Sequence, residues 1–483
     1  MKLHSEGSKA MVWSFTEVLL KRGVQFILSI FLARLLTPDD FGVVAMATIF
    51  VTWSEVFKDF GLGQALIQKK DISEEQVSTV FYLNIGMGGL LALILVLIAP
   101  FASKFYENEM VGWCVRVSAL TFLITSFNVV QTSLLKKKLN YKVQTVASFL
   151  SSTISGIVGV VMAYKGFGVW SLLTQSVVHT IINTLYLWRK SDWRPKWVFK
   201  FKSTYPLFRK GVGFMGKGFI DNIFSALDSM AIGKLFSSSA LGLFNRGRSL
   251  SDMVRDTFLI PVTRPLFPIF SKLQNDRAAI EAYYFKMLYM LSWIILLTAG
   301  LLFLCSEEVI TILYGDAWRV SAIYLKYFAL LLPFYVPNTI ATSTLKALGQ
   351  VKVLVYLGLF ERILAFASLF CLLVGLDVYM KAFFATNLFA SVVQVIITSR
   401  YTKISVFKQY KNIVLCVLGI VALGLAFYYM PDYNKYVSFA IKASIFTVVY
   451  LIYSTLSKSE GFDACLELVR NKKHNKIIGK EQE

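Results

Sequence analysis

Long apolar segments recur from one end of the chain to the other, and short polar or charged segments separate them. A helix needs about 20 apolar residues to cross the hydrocarbon core of a bilayer, and it satisfies its own backbone hydrogen bonds there. The pattern therefore predicts an all-α polytopic membrane protein with about 14 transmembrane helices. The predicted spans lie near residues 11–36, 41–68, 76–101, 111–135, 143–164, 168–188, 206–235, 240–270, 281–305, 320–345, 351–375, 378–399, 412–430 and 436–456.

The loops between these spans differ in charge. Basic clusters follow even-numbered spans at 136–138, 189–202 and 400–411, whereas loops after odd-numbered spans carry acids such as Asp39 and Asp40. Roughly 28 lysines and arginines lie on the even side together with both termini, and roughly 5 lie on the other side. Because basic loops stay in the cytoplasm, this asymmetry predicts that both termini are cytoplasmic. No small-residue cleavage site follows the first apolar segment, so we expect a retained helix rather than a signal peptide.

One helix–turn–helix element occurs twice, about 200 residues apart, at 33–43 and 233–243. A weaker internal sequence similarity relates residues 132–136 to residues 342–346. The two copies start six predicted spans apart, so they share one orientation. Parallel repeats of this kind are related by an axis along the membrane normal. We therefore expect two six-helix lobes related by a pseudo-twofold parallel repeat, followed by two further C-terminal helices.

These patterns divide the chain into five segments. The linker between the lobes is rich in tryptophan and lysine, and spans 13 and 14 fall outside the repeat. The predicted segments are an N-terminal lobe at 1–190, a basic cytoplasmic linker at 191–204, a C-terminal lobe at 205–402, spans 13 and 14 at 403–458 and a cytoplasmic tail at 459–483.

Several predicted spans carry ionisable residues at positions where lipid is expected. They are Glu17, Lys21 and Arg22 on span 1, Glu55 and Asp59 on span 2, Asp221 and Asp228 on span 7, and Arg248, Asp252 and Arg255 on span 8. A charged side chain at the bilayer centre costs roughly 2.5–3.5 kcal/mol, so these groups must face a wet cavity or each other. A water-filled cleft between the lobes is the simplest geometry.

The alternative is that these charges join helices to one another. Glu17 with Lys21 and Arg248 with Asp252 have the i,i+4 spacing of local ion pairs. Lysines and arginines near span ends, such as Lys136, are expected to extend to the membrane surface and receive no chemical role.

Other classes of protein are disfavoured. The chain is 56% hydrophobic with a net charge of +21, but its basic residues lie in short loops, so nucleic acid is not an expected partner. Three scattered histidines, and five cysteines without a CxxC motif, support neither a zinc site nor a catalytic triad. The segment 211–216 reads GxGxxG, yet it opens a membrane helix and lacks a βαβ unit, so we expect helix packing there. The chain contains no ATP-binding motif.

The segments 31–47, 57–68 and 78–84 resemble the opening of bacterial polysaccharide flippases of the Wzx type. The likeness is closest to the branch that exports lipopolysaccharide, colanic acid and teichuronic acid. It implies the multidrug/oligosaccharidyl-lipid/polysaccharide exporter fold. It also implies an undecaprenyl-diphosphate-linked oligosaccharide as the substrate, moved from the cytoplasmic to the outer leaflet of the bacterial inner membrane.

The resemblance also implies roles for individual residues. Related lipid II flippases place cations on spans 1, 2 and 8 around the diphosphate. The matching cations here are Lys21, Arg22, Arg248 and Arg255. Span 2 departs from that pattern, because it offers mainly acids. The acids expected to offset the cationic lining and to bind a coupling proton or sodium ion are Glu17, Glu55, Asp59, Asp221, Asp228 and Asp252.

We therefore expect alternating access by two rocking lobes. The expected protein is not an enzyme, needs no cofactor other than a coupling ion, and works as a monomer among membrane lipids. The polysaccharide polymerase and chain-length machinery are its candidate partners. The alternatives are an ion-coupled small-molecule exporter of the same superfamily and, less favoured, a membrane polysaccharide polymerase or ligase. The longest outer loop, at about 306–319, is short for a catalytic domain.

Overall fold

The structure, a computed structural model, is helical throughout the residues that it describes, which are 23–55, 61–69, 71–209, 226–431, 433–457 and 459–463. Within those ranges short 3₁₀ segments accompany the α-helices, and no strand occurs. Five predicted site residues lie outside the described residues, and so does the glycine-rich segment at 211–216. The five are Glu17, Lys21, Arg22, Asp59 and Asp221.

Residue contacts divide the chain into two compact units, Met1–Gly242 and Leu243–Glu483. In the first unit the helices are α1 (Gly23–Leu35), α2 (Pro38–Glu55), α3 (Leu62–Gln68), α4 (Glu74–Tyr106), α5 (Glu109–Ser126), α6 (Val129–Lys137), α7 (Tyr141–Tyr164), α8 (Val169–Lys190), α9 (201–209) and α10 (Leu227–Leu235).

The helix α11 (Ser238–Leu273) begins in the first unit and leads into the second. The second unit continues with α12 (Arg277–Leu304), α13 (Ser306–Tyr314), α14 (Ser321–Ala347), α15 (Val351–Leu369), α16 (Leu376–Thr402), α17 (Val406–Tyr428) and α18 (Lys435–Leu456). Its 3₁₀ segments are Asp316–Trp318 and Phe370–Leu373. The boundary between the two units therefore lies inside the helix α11. The predicted boundaries of the lobes stay predictions.

Among the described residues, eight helices are long and apolar enough to cross a membrane. The number becomes nine if α5 and α6, which meet at an angle of 45°, form one span. These helices confirm the predicted all-α polytopic membrane fold, while the count of 14 spans stays a prediction. Proline residues lie inside the helices α11 and α14.

Two details differ from the predicted spans. Span 2, expected at 41–68, includes Gly61, whose φ of 69° is left-handed, and the helix α3 begins after it. The outer loop expected at 306–319 contains the helix α13 and a 3₁₀ turn. The sequence 306–314 is amphipathic, so it can lie on other helices without spanning the membrane.

The helix pairs α6–α7 and α14–α15 are joined by the same turn. Leu139, with a φ of 54°, donates its backbone N–H to the Lys136 oxygen, and the next N–H bonds to Leu135. Gly349, with a φ of 72°, donates to Lys346 in the same way, and the next N–H bonds to the residue before Lys346. Both ends are Schellman motifs, which terminate a helix at a left-handed residue. The repeat predicted from 132–136 and 342–346 therefore extends to backbone geometry.

A buried ion pair attaches α13 to α18 in the second unit. Lys442 Nζ lies 2.5 Å from Glu308 Oε1, and the Ser438 hydroxyl donates to the same oxygen at 2.6 Å. Burial alone would raise the pKa of Glu308, but the hydrogen bonds from Lys442 and Ser438 outweigh it and leave the pKa below its ordinary value. Glu308 is therefore an anion at neutral pH.

Candidate functional site

The duplicated turns of the first unit contact each other reciprocally. Gly42 on α2 lies so close to the second turn that an added Cβ would fall 1.7 Å from the Ser238 carbonyl oxygen. Gly242 on α11 lies as close to the first turn, where an added Cβ would fall 2.0 Å from the Pro38 carbonyl oxygen. Each copy places its glycine against the other copy's turn, as two subunits do in a twofold interface. We call these four residues the reciprocal contact.

Polar groups surround the reciprocal contact. The Ser238 hydroxyl donates a hydrogen bond to Asp39 Oδ1. Lys234 Nζ lies 2.8 Å from Glu107 Oε1 and 5.4 Å from the centre of the Phe105 ring. The pKa of the exposed Glu107 lies below its ordinary value because Lys234 hydrogen-bonds to it and attracts its charge. The predicted topology places this cluster on the outer face of the membrane.

Four charged side chains, Arg248, Asp252, Arg255 and Asp256, form a row on α11 in the second unit. Asp252 lies between the arginines, with Oδ1 3.0 Å from Arg255 Nη2 and Oδ2 3.7 Å from Arg248 Nε. Arg255 Nε also lies 3.5 Å from Asp256 Oδ1. The Arg248 and Arg255 side chains remain 30% and 39% exposed. A guanidinium has five N–H donors, so each arginine of this arginine row can bond to more than one anionic group.

The i,i+4 pair Arg248–Asp252, expected as the alternative to a ligand site, is therefore present in the structure. Aromatic rings from α14 lie beneath both arginines. The guanidinium carbon of Arg248 is 6.0 Å from the Phe328 ring, and that of Arg255 is 6.0 Å from the Tyr335 ring. These rings fix the guanidinium groups against α14 by cation–π attraction.

Tyr335 also lines a polar cavity of about 270 Å³ among α14, α15 and α16, which we call the C-terminal cavity. Glu361 on α15 supplies its acid. Gln394 Nε2 donates to Thr342 Oγ1 at 2.7 Å and to the Asn338 backbone oxygen at 3.2 Å. Amides and hydroxyls thus face one carboxylate in this cavity.

A second polar cavity, of about 330 Å³, lies in the first unit among α5, α6, α7 and α8. We call it the N-terminal cavity. Lys136 on α6 and His179 on α8 are its basic residues, and none of its described lining residues is acidic. The polar uncharged lining includes Asn128, Thr132, Gln144 and Asn183.

The two cavities occupy the same place in the repeat. Asn128 and Asn338 line one cavity each, four residues before Thr132 and Thr342 respectively. Asn128 Nδ2 donates to Thr184 Oγ1 on α8 at 2.9 Å. In the second unit the Ser391 hydroxyl on α16 donates to Asn338 Oδ1 at 3.0 Å. An asparagine-to-hydroxyl hydrogen bond therefore closes the wall of each cavity.

The predicted site residues have different outcomes. Arg248, Asp252 and Arg255 lie together in the arginine row. Asp228 is in the first turn of α10, where its Oδ1 accepts a hydrogen bond from the Ser229 N–H at 2.7 Å. The side chain of Glu55 lies outside the described part of the chain. Among the described residues, no group of three His, Cys, Asp or Glu side chains is placed to hold a metal ion.

Sequence reasoning missed most of the cavity lining. Lys136 was expected only to extend to the membrane surface, and the structure places it in the wall of the N-terminal cavity. The echo between 132–136 and 342–346 provided a usable signal, because extending it by four residues pairs Asn128 with Asn338. No spacing in the sequence pointed to Tyr335.

Comparisons with known proteins give the context of these sites. In structure the chain is similar to the lipid II flippase MurJ in an inward closed conformation, with a TM-score of 0.68, 16% identity, and coverage of 92% of this chain and 98% of that one. This similarity supports the fold. In sequence it is 26% identical over 355 residues to the succinoglycan biosynthesis transport protein ExoT of Rhizobium meliloti (strain 1021), covering 73% of this chain and 71% of ExoT.

A second relative is the teichuronic acid biosynthesis protein TuaB of Bacillus subtilis (strain 168), 25% identical over 322 residues and covered to 66% in both chains. The teichuronic-acid branch is one of those that the opening segments of the sequence resemble, so the predicted resemblance is confirmed. The sequence profile of the family described as polysaccharide biosynthesis protein matches residues 31–323, which is more than half of the chain. The chain therefore belongs to the polysaccharide biosynthesis protein family.

Proposed function

We propose that this protein is a flippase for lipid-linked oligosaccharides. It moves undecaprenyl-diphosphate-linked repeat units from the cytoplasmic to the outer leaflet of the bacterial inner membrane, for an O-antigen, capsule or exopolysaccharide. The arginine row carries the proposal, because it places two partly exposed guanidinium groups on one face of a helix in a membrane protein of this family. The description of ExoT as a transport protein supports it.

The chemistry of the arginine row suits a diphosphate. A diphosphate carries about two negative charges and is best bound by paired, charge-assisted donors. Asp252 offers the two arginines one negative charge, so a diphosphate that displaces or joins it brings more charge to the same donors. Lys21 and Arg22 on span 1 are proposed to complete this site.

Alternating access requires an outer gate, and the reciprocal contact supports one. In the predicted topology it closes the outer face, so release of the substrate requires Gly42 and Gly242 to separate from the opposite turns. Acids near the substrate path are proposed to offset its positive charge and to bind a coupling proton or sodium ion. They are Glu17, Glu55, Asp59, Asp221, Asp228 and Asp252, to which the C-terminal cavity adds Glu361.

We propose no catalytic role and no cofactor apart from the coupling ion. Both termini are proposed to lie in the cytoplasm. The protein is proposed to act as a monomer among membrane lipids, with the polysaccharide polymerase and chain-length machinery as partners. The polyprenyl tail stays in lipid, so the headgroup enters between helices from the side.

Complementation of a deletion strain tests the proposal. Deletion should cause the lipid-linked oligosaccharide to accumulate inside the cell, as measured by mass spectrometry of extracted lipids. The double variant Arg248→Ala, Arg255→Ala should fail to restore the surface glycan although it reaches the membrane. The matched control is Arg277→Ala, Arg400→Ala, which removes two exposed arginines near helix ends and should restore export.

Normal export by the arginine-row variant would contradict the diphosphate role. A deletion strain without accumulated lipid-linked oligosaccharide, but with increased sensitivity to toxic small molecules, would identify an exporter instead.

A further inference from the structure

The N-terminal cavity has no part in the function proposed above, and its lining has one chemical character. Lys136 and His179 are the ionisable groups among its described lining residues, and the other polar groups are amides and hydroxyls. We propose that this cavity is a binding site for a phosphoryl group, carried either by an anionic lipid headgroup or by a soluble molecule.

An unpartnered donor in the wall points to a ligand. Gln144 on α7 is only 8% exposed, and its Nε2 has no hydrogen-bond partner among the described residues. Leaving such a donor buried and unpaired costs about 1–3 kcal/mol, and a bound acceptor removes that cost. The neighbouring Asn128 amide differs, because it already donates to Thr184.

The charge of the lining selects an anion. Lys136 belongs to a run of three lysines whose other two members have contacts of their own. Lys137 Nζ donates to the Lys69 backbone oxygen at 2.6 Å, and Lys138 Nζ lies 3.7 Å from Asp192. Lys136 is the one of the three that lines the cavity. Without an acid among the described lining residues, the ammonium group attracts anions rather than cations.

Size and donor number favour a phosphoryl group. The volume of about 330 Å³ is at the lower end of small-ligand sites, which span roughly 300–1,000 Å³, so a headgroup fits and an oligosaccharide does not. Donors approach from α6, α7 and α8, in the form of Lys136, Gln144 and Asn183. A phosphoryl group presents more oxygens to such converging donors than a carboxylate does. Hydrogen bonds from an ammonium to an oxyanion are about twice as strong as neutral ones.

The repeat supplies a matched control. Lys346 follows Thr342 as Lys136 follows Thr132, and both lysines are exposed at the end of a helix. Lys346 does not belong to the lining of the C-terminal cavity, where Glu361 instead repels anions. Removing either lysine changes the net charge equally, but only Lys136 belongs to the proposed site.

The test measures pyrophosphate binding by the full-length protein in phosphatidylcholine nanodiscs, using isothermal titration calorimetry. The background is the Arg248→Ala, Arg255→Ala variant, so that the arginine row contributes no anion site. Lys136→Gln should raise the dissociation constant for pyrophosphate about tenfold or more, which is a loss of roughly 1.4 kcal/mol of binding free energy. Lys346→Gln should change it by less than about twofold.

Two further variants test the unpartnered donor. Gln144→Glu places a negative charge in the wall with little change in volume and should abolish binding. Gln144→Leu removes the donor without adding charge and should weaken binding. The apparent melting temperature of each variant is measured in parallel, and Gln144→Glu is interpreted only if the protein is folded by this criterion; otherwise the comparison of Lys136→Gln with Lys346→Gln decides.

Equal losses of pyrophosphate affinity in Lys136→Gln and Lys346→Gln would overturn the proposal. The absence of pyrophosphate binding in the background protein would overturn it as well. Tighter binding of glucuronate than of pyrophosphate would also overturn it, because it would indicate a carboxylate site. Nanodiscs that contain phosphatidylglycerol identify the source of the ligand. Weaker pyrophosphate binding in them supports a lipid headgroup as the occupant, and unchanged binding supports a soluble phosphoryl compound.

Discussion

The N-terminal and C-terminal cavities share a backbone plan and differ in charge. In each, an asparagine binds a hydroxyl group across the wall, through Asn128 in the first unit and Asn338 in the second. Lys136 lines the first cavity, whereas Glu361 lines the second. The comparison shows that the repeat preserves a hydrogen bond that holds helices together, while the charged group that lines each cavity has changed between the copies. Shared features should therefore respond equally to mutation, and the differing ones should not.

The largest effect is expected at the reciprocal contact. Gly42→Leu and Gly242→Leu each force a side chain into a backbone carbonyl of the opposite turn. Overpacking of this kind costs about 1–3 kcal/mol, and 1.4 kcal/mol is about tenfold in an equilibrium. Each variant should therefore reduce surface glycan at least about tenfold by preventing closure of the reciprocal contact. The assay is quantified surface glycan normalised to the amount of protein in the membrane.

Gly358→Leu on α15 is the control, because no atom from elsewhere in the described part of the chain lies within 4 Å of its added Cβ. It should leave export near the level of the unmodified protein. A strong effect of Gly42→Leu combined with a weak effect of Gly242→Leu would break the twofold description of the contact.

The paired asparagines should produce a smaller and equal effect. Asn128→Leu and Asn338→Leu each remove one interhelical hydrogen bond, at a net cost of about 1 kcal/mol. The Ser391 hydroxyl keeps the Phe334 backbone oxygen and the Tyr410 hydroxyl as partners. Each variant should lower the apparent melting temperature in detergent by a few degrees. Asn183→Leu changes the same residue type in the N-terminal cavity, but within the described residues its side chain forms no hydrogen bond to another helix, so this variant should lower the melting temperature less. Unequal decreases in melting temperature for the variants at 128 and 338 would show that the walls of the two cavities are not equivalent.

The sequence predicted the fold further than the site. Apolar segments of bilayer length and the echo of 33–43 in 233–243 predicted the helices and the repeat, because these depend on local composition and period. Gly61, inside one predicted span, instead has a left-handed φ of 69° and precedes the helix α3. A window of hydropathy cannot detect such a break, because an apolar segment has the same mean hydropathy whether its helix is continuous or interrupted.

The cavity lining escaped prediction for a different physical reason. Helical periodicity shows which residues share a face of one helix, but not which face of a neighbouring helix lies opposite. The arginine row lies on one helix, so its spacing was visible. The partners of Asn128 and Asn338 are on other helices and about 55 residues away, so their hydrogen bonds depend on packing that only the structure shows.

The smallest effect is expected at two glutamates, one in each unit, that differ in burial. Glu308 is 8% exposed beside Lys442, whereas Glu107 is 82% exposed beside Lys234. In both, the pKa in the folded protein lies below its ordinary value, so the stabilising contribution is present at neutral pH and is lost as the pH falls through the folded pKa.

Glu308→Gln should lower the free energy of unfolding at pH 7 by about 1 kcal/mol, because it removes a charged partner of Lys442 in a buried setting. Glu107→Gln should have no measurable effect, since exposed pairs are screened by water and salt. Apparent melting temperatures from pH 7 to well below pH 4 measure the difference, because the contribution is lost only below the ordinary carboxyl pKa. The curve of Glu308→Gln should fall less steeply with acid than that of the unmodified protein, and the curve of Glu107→Gln should overlie it. A steeper acid dependence in Glu308→Gln, or a larger loss at Glu107, would mean that burial does not decide the strength of these two pairs.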